Sequence, residues 1–122
     1  MRTLVLEHGK LAERDIENTL EALQGIVGGY IEIPFISERF ANETIDIVIN
    51  EEGKLINLEP QIAVLQRGTN RILDLIVGNC IFASHDEEGE MIGLTDEQIE
   101  IVKEELRREV IIEGMILKVL FV

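Results

Sequence analysis

At 122 residues the chain is long enough for one domain with a substantial core and too short for two. Its 46% hydrophobic content excludes a disordered chain. With 24 acids against 11 bases, a net charge of −13, neither a nucleic-acid backbone nor an anionic membrane fits as its main partner.

Thr3 to Glu7 reads as a short apolar strand, followed by a polar turn at His8-Gly9-Lys10. Asp15 is placed to cap a helix over about 15–24, because Ile16, Leu20 and Leu23 recur at helical spacing and Glu17 falls in the first turn. Gly25 then suits the left-handed residue after the helix, and Gly28-Gly29 marks a second reversal. These glycines follow a helix instead of preceding one, so they read as a turn and not as a phosphate cradle. Tyr30, Ile31, Glu32, Ile33 and Phe35 read as a strand that Pro34 either stops or confines to a sheet edge.

Residues 37–42 form a polar connection, and Ile45, Ile47 and Ile49 define a half-buried strand. The turn 50–53, with Gly53 at positive φ, returns the chain into a hairpin strand over 54–58. Pro60 breaks that element, and 62–65 is an apolar run whose type its length leaves open. Residues 67–71 are a positively charged loop. Residues 72–82 (ILDLIVGNCIF) read as one central strand bent at Gly78, and Cys80 within it reads as a buried, inert thiol. A lone cysteine excludes an internal disulfide and suits a reducing compartment. After an acidic loop over 84–93, Thr95 and Gln98 form a capping box. The helix it opens runs to about 108, with Ile99, Val102 and Leu106 on one face and Arg107 and Arg108 in the last turn. Gly114 precedes a terminal apolar strand over 115–121. Strands and helices mix without βαβ alternation, which predicts one α+β domain: a mixed, mostly antiparallel sheet with two main helices. No signal peptide or apolar span of about eighteen residues is present, so a cytosolic protein is expected.

The strings LQGIVGGYIE (23–32), NEEGKL (50–55), DLIVGN (74–79) and GLTDEQIE (93–100) resemble the DUF3846 family, over about residues 1–105. That family comprises small uncharacterised proteins of phages, plasmids and the low-GC bacteria that carry them. The resemblance implies a single α+β domain of mobile-element type, and it brings no catalytic residues. Two departures stand out. The family often has an Asn-Arg pair shortly after NEEGKL, where this chain has Gln61-Ile62, so a basic contact is lost or taken over by Asn70-Arg71. The family domain also tends to end near the last helix, which makes 109–122 an extension strand carried by the single domain over 1–122.

The chemistry on offer argues for binding and against catalysis. His8 and His85 both fall in polar turns outside any Ser-His or Cys-His pattern, so no nucleophile has its base. The stretch 85–90 lacks calcium-loop spacing, so no metal and no cofactor are expected. Ten acids lie between Ser84 and Glu109, and Glu97, Glu100 and Glu104 form one helix stripe suited to a basic protein partner. A non-catalytic protein acting through that face, for example in counter-defence or regulation, is the first reading. The alternative is an anionic ligand, nucleotide-like, held by Arg67, Thr69, Asn70 and Arg71, since 60–73 contains no acid and two guanidiniums flank the loop. Tyr30 or Phe82 would stack a base if the fold brings either near. The apolar tail must join a sheet of its own domain or pair with a second copy, which would make a homodimer.

Overall fold

The computed structural model describes residues 1–122 and contains ten strands and three helices in two sheets. The first sheet runs β2 (Lys10–Asp15), β1 (Arg2–Glu7), β7 (Cys80–His85), β4 (Ile45–Asn50) and β3 (Ile31–Glu32), with β8 (Met91–Ile92) also on β7. The second runs β6 (Ile72–Val77), β5 (Pro60–Leu65), β10 (Met115–Phe121) and β9 (Glu109–Ile112). Only β5 and β10 pair in parallel; every other ladder is antiparallel. The helices are α1 (Leu20–Val27), α2 (Glu38–Asn42) and α3 (Asp96–Glu105). This is an α+β domain, with two sheets where the sequence suggested one. No helix is long and apolar enough to cross a membrane.

Side-chain alternation along the strands builds three apolar clusters. Leu4, Leu6, Ile45, Ile47 and Phe82 from the first sheet meet Ile62, Val64, Ile76 and Leu120 from the second, and Ile99, Val102 and Leu106 of α3 join them. The intervening residues Val5, Val48 and Ile81 point to the opposite face, where Leu23 and Val27 of α1 cover them. Strands covered on both faces read as continuous apolar runs, which explains the density of IDIVI and CIFAS. The far face of the second sheet carries Ala63, Leu65, Leu117 and Val119, with Leu75, Val110, Ile112 and Phe121 folded against them and no helix above.

Several expectations are corrected. Asp15 is not a helix cap: His8 (φ +49°) and Gly9 (φ +76°) make a two-residue hairpin turn, and 10–15 returns as β2 along the whole of β1. The first helix begins at Leu20, with Thr19 accepting from the Ala22 N–H at 3.1 Å, and it ends at left-handed Gly28 instead of Gly25. Pro34 allows only Ile31–Glu32 to pair with β4. Within 37–42 lies α2, capped by Ser37, because buried Phe40 gives that polar segment an anchor. Residues 51–57 are turns and not a hairpin strand, with the left-handed residue at Asn57 (φ +57°) and not at Gly53. The ambiguous run after Pro60 is β5, an interior strand of the second sheet. The last helix stops at Glu105, so Arg107 and Arg108 lie beyond it, and 109–122 holds two strands instead of one.

The largest correction concerns 72–82, which is two strands in different sheets. Gly78 adopts φ +77°, and a Cβ there would lie 2.7 Å from Leu58 Cδ1. The chain leaves one sheet and enters the other at a place where only glycine fits without strain. Replacing Gly78 with Ala is expected to cost about 1–3 kcal/mol in chemical denaturation. Unchanged stability would contradict this account of the sheet switch.

Candidate anion-binding groove

The charged loop predicted over 67–71 connects β5 to β6 at one end of the second sheet. It closes through Gln66 N–H to the Arg71 carbonyl at 2.8 Å and Asn70 N–H to the Gln66 carbonyl at 2.9 Å. Thr69 Oγ1 donates to Gln66 Oε1 at 2.8 Å and accepts from the Arg71 N–H at 3.3 Å, so the threonine is occupied in holding the loop. Arg67 N–H donates to a main-chain oxygen of Val122 at 2.8 Å, fastening the loop to the end of β10.

That fastening brings Arg67 beside Phe121, with the guanidinium carbon 5.7 Å from the ring centroid. Arg108, arriving from the start of β9, reaches the same ring at 5.6 Å. Cations over an aromatic face are attracted by its quadrupole. Between the two edges of the sheet lies a groove of about 300 Å³, lined by Leu65, Val119 and Phe121 below and by Asn70, Ile72, Arg108, Glu109, Val110 and Ile112 along the sides. Two register shifts between β5 and β6 give that edge the extra bend that bulges impose.

The ion pairing is asymmetric. Arg67, Arg71 and Arg108 have no carboxylate within 4.0 Å, although the chain carries an excess of acids. Apart from Lys10, every other lysine and arginine has one, including Lys118 with Glu109 at 3.3 Å and Arg107 with Glu104 at 3.2 Å. Neither Arg108 nor Phe121 is among the ligand-binding residues expected from the sequence, which assigns Arg108 to the last turn of the helix. The signal was the Arg107-Arg108 run: a helix one turn shorter leaves only Arg107 near the acids of α3 and sends Arg108 to the sheet.

The remaining sequence candidates are placed elsewhere. Tyr30 is exposed beside Asn50, Glu52 and Ile56 at the edge of the first sheet, in a different cleft from Asn70. Phe82 is fully buried and packs edge-to-face on Phe40 at 6.2 Å, so it cannot stack a ligand. Glu97, Glu100 and Glu104 are all exposed on α3; Lys103 approaches Glu100 at 4.0 Å, and only Glu97 lacks a basic neighbour. In the acidic stretch, Asp86 Oδ1 accepts from the N–H groups of Glu88 and Glu90, and His85 Nδ1 lies 2.9 Å from Asp46 Oδ2.

Three of the motif strings converge at the end of α1. Asn50 Nδ2 donates to the Val27 carbonyl at 3.1 Å, and Asn79 Nδ2 donates to the Ile26 carbonyl at 3.0 Å. A Cβ on Gly29 would meet Asn50 Nδ2 at 3.0 Å, and one on Gly53 would meet Val77 Cγ2 at 2.9 Å. These contacts assign the glycines and asparagines to packing and to the open carbonyls of a helix end. An adjoining cleft of about 720 Å³, lined by four glycines, offers only His8 and Glu59 as ionisable groups.

Residues 1–107 match the family described as Domain of unknown function (DUF3846), and the chain belongs to that family. No curated protein and no solved structure matches it. The matched span ends just before Arg108 and the β9–β10 hairpin, so Phe121 and Arg108 lie outside it.

Cys80 Sγ sits in the central core, and burial pushes its pKa up to about 12. At pH 8 only about one thiol in ten thousand would be ionised, and the thiolate is the reactive form. A thiol reagent at pH 8 is expected to leave the native protein unmodified and to label one site after denaturation. Stoichiometric labelling of the native protein would contradict the packing of β7.

Proposed function

We propose that this chain is a binding protein whose groove at the end of the second sheet recognises a negatively charged group. The observation that carries this reading is Arg108 on the groove wall, with Arg67 against the same Phe121 ring, neither of them neutralised by a carboxylate of an acid-rich chain. Guanidiniums with free forks beside an apolar floor suit carboxylate or phosphate oxygens, because charge-assisted bonds strengthen where water is partly excluded. A small anionic signal or effector would fit the mobile-element setting that the family resemblance implies, where capturing such a molecule blunts a host response.

A thermal-shift panel of inorganic phosphate, adenosine monophosphate, citrate and decanoate tests the reading. At least one anion is expected to raise Tm saturably, with about 2.7 kcal/mol of stabilisation at a hundredfold excess over Kd. The shift should vanish in the Arg67→Ala, Arg108→Ala double variant. A panel without any saturable response would overturn the proposal.

A second reading is supported by the exposure of Glu97, Glu100 and Glu104 on one stripe of α3. Such a surface steers towards a basic partner through long-range attraction. Converting the three to Lys should abolish low-salt retention on a polylysine matrix beyond the loss that the same charge change causes at Glu87, Glu88 and Glu90. Equal losses for the two triple variants would reduce the stripe to a general effect of net charge.

A further inference from the structure

The groove is more specific in its chemistry than an anion site. Its apolar lining is aliphatic apart from Phe121, and Val119 and Leu65 are only 3% and 7% exposed beneath it. Ile72, 49% exposed, stands on the open side. Among the lining residues the uncommitted polar groups are the Arg108 guanidinium and the Asn70 side chain. The carboxylate of Glu109, which also lines the groove, is engaged by Lys118.

Resting on the anion-binding reading, we propose that the occupant is a medium-chain aliphatic carboxylate. Its head would sit at Arg108, the guanidinium that lines the groove, and its chain would run over Leu65, Val119 and Ile72. Charge complementarity selects the head: a carboxylate accepts two N–H bonds from one guanidinium fork. The lining selects the body. A nucleotide would bring ribose hydroxyls and base edges that this surface, with one free amide, leaves without partners, and each polar group desolvated unpaired weakens binding. The volume of about 300 Å³ lies at the small end of ligand sites and suits an unbranched chain better than a base, sugar and phosphate together. Phe121 also already faces two guanidiniums, which competes with stacking a base on it.

Isothermal titration of the full chain with decanoate, below its micelle-forming concentration, tests the assignment. Acetate supplies the head alone, decanol the body alone, adenosine monophosphate the nucleotide, and acetyl-leucyl-leucine a peptide terminus. Decanoate is expected to bind one-to-one, at least about tenfold tighter than each of the others. Arg108→Gln and Ile72→Glu should each weaken it about tenfold or more; both positions are exposed or half-exposed, so the variants fold. Chemical denaturation of both variants, unchanged from the parent, secures that comparison.

Tighter binding of adenosine monophosphate, lost in Arg108→Gln, would overturn the aliphatic assignment and leave the anion site standing. Tighter binding of acetyl-leucyl-leucine would replace the free acid by a peptide terminus, which also overturns it. Multiple weak binding of decanoate that neither variant alters would be detergent-like adsorption and would overturn it as well. Silence from every ligand would remove both the assignment and the anion-binding reading.

Discussion

The architecture depends on one insertion: β10 lies between β5 and β9 and makes the second sheet continuous. Its parallel ladder to β5 runs from Lys118↔Ile62 to Phe121↔Leu65, and its antiparallel ladder to β9 from Met115↔Ile112 to Lys118↔Glu109. The strand is therefore bonded to β9 along its first half and to β5 along its second, and the two ladders overlap at Lys118. A parallel pair needs a long crossover, and here the chain between β5 and β10 includes β7 of the other sheet and α3. Leu117, Val119 and Leu120 are each 3% exposed or less, so the strand supplies apolar burial to both faces, at about 1.5–3 kcal/mol per large side chain. The groove inherits its position from the same strand, because Val119 and Phe121 are its floor.

The two sheets are held in register by polar groups as well as by the core. Gln61, on β5, donates through Nε2 to the Leu6 carbonyl of β1 at 3.2 Å and to the Gly78 carbonyl at 2.9 Å, and its Oε1 accepts from the Gly9 N–H at 3.0 Å. One buried amide thus binds both sheets and the switch between them. On the opposite side Gln98 performs a similar task for α3, donating to the Glu43 carbonyl and Ser84 Oγ while its Oε1 completes the capping box. Buried polar groups that are fully paired favour one arrangement over near alternatives, because a slip would strand them. Every deeply buried side-chain nitrogen and oxygen has a partner.

Legibility in the sequence followed how local the determining physics is. The capping box at Thr95 and Gln98, the burial of Ile99, Val102 and Leu106, and the strand at 45–49 are settled within a few residues, and they were readable. The hairpin at His8-Gly9 was equally local, yet the helical spacing of Ile16, Leu20 and Leu23 masked it. Ile16 packs on α1 from outside the helix, so the period was a coincidence of tertiary contacts. The division of 72–82 between two sheets was invisible, because an apolar run looks the same whether one sheet or two bury it. At the groove, Arg67 and Asn70 were legible as an acid-free loop. Phe121 and Arg108 join them only through the parallel pairing of β5 with β10, which no local pattern encodes.

Amide hydrogen exchange across β10 tests the central position of that strand most directly. If β10 is the interior strand of the second sheet, the amides of Leu117 to Leu120 exchange only through global unfolding, with the same protection as those of Val5 and Phe82. Exchange of the β10 amides through a separate, lower-energy opening, while the first sheet stays protected, would make 109–122 an appendage and contradict the account.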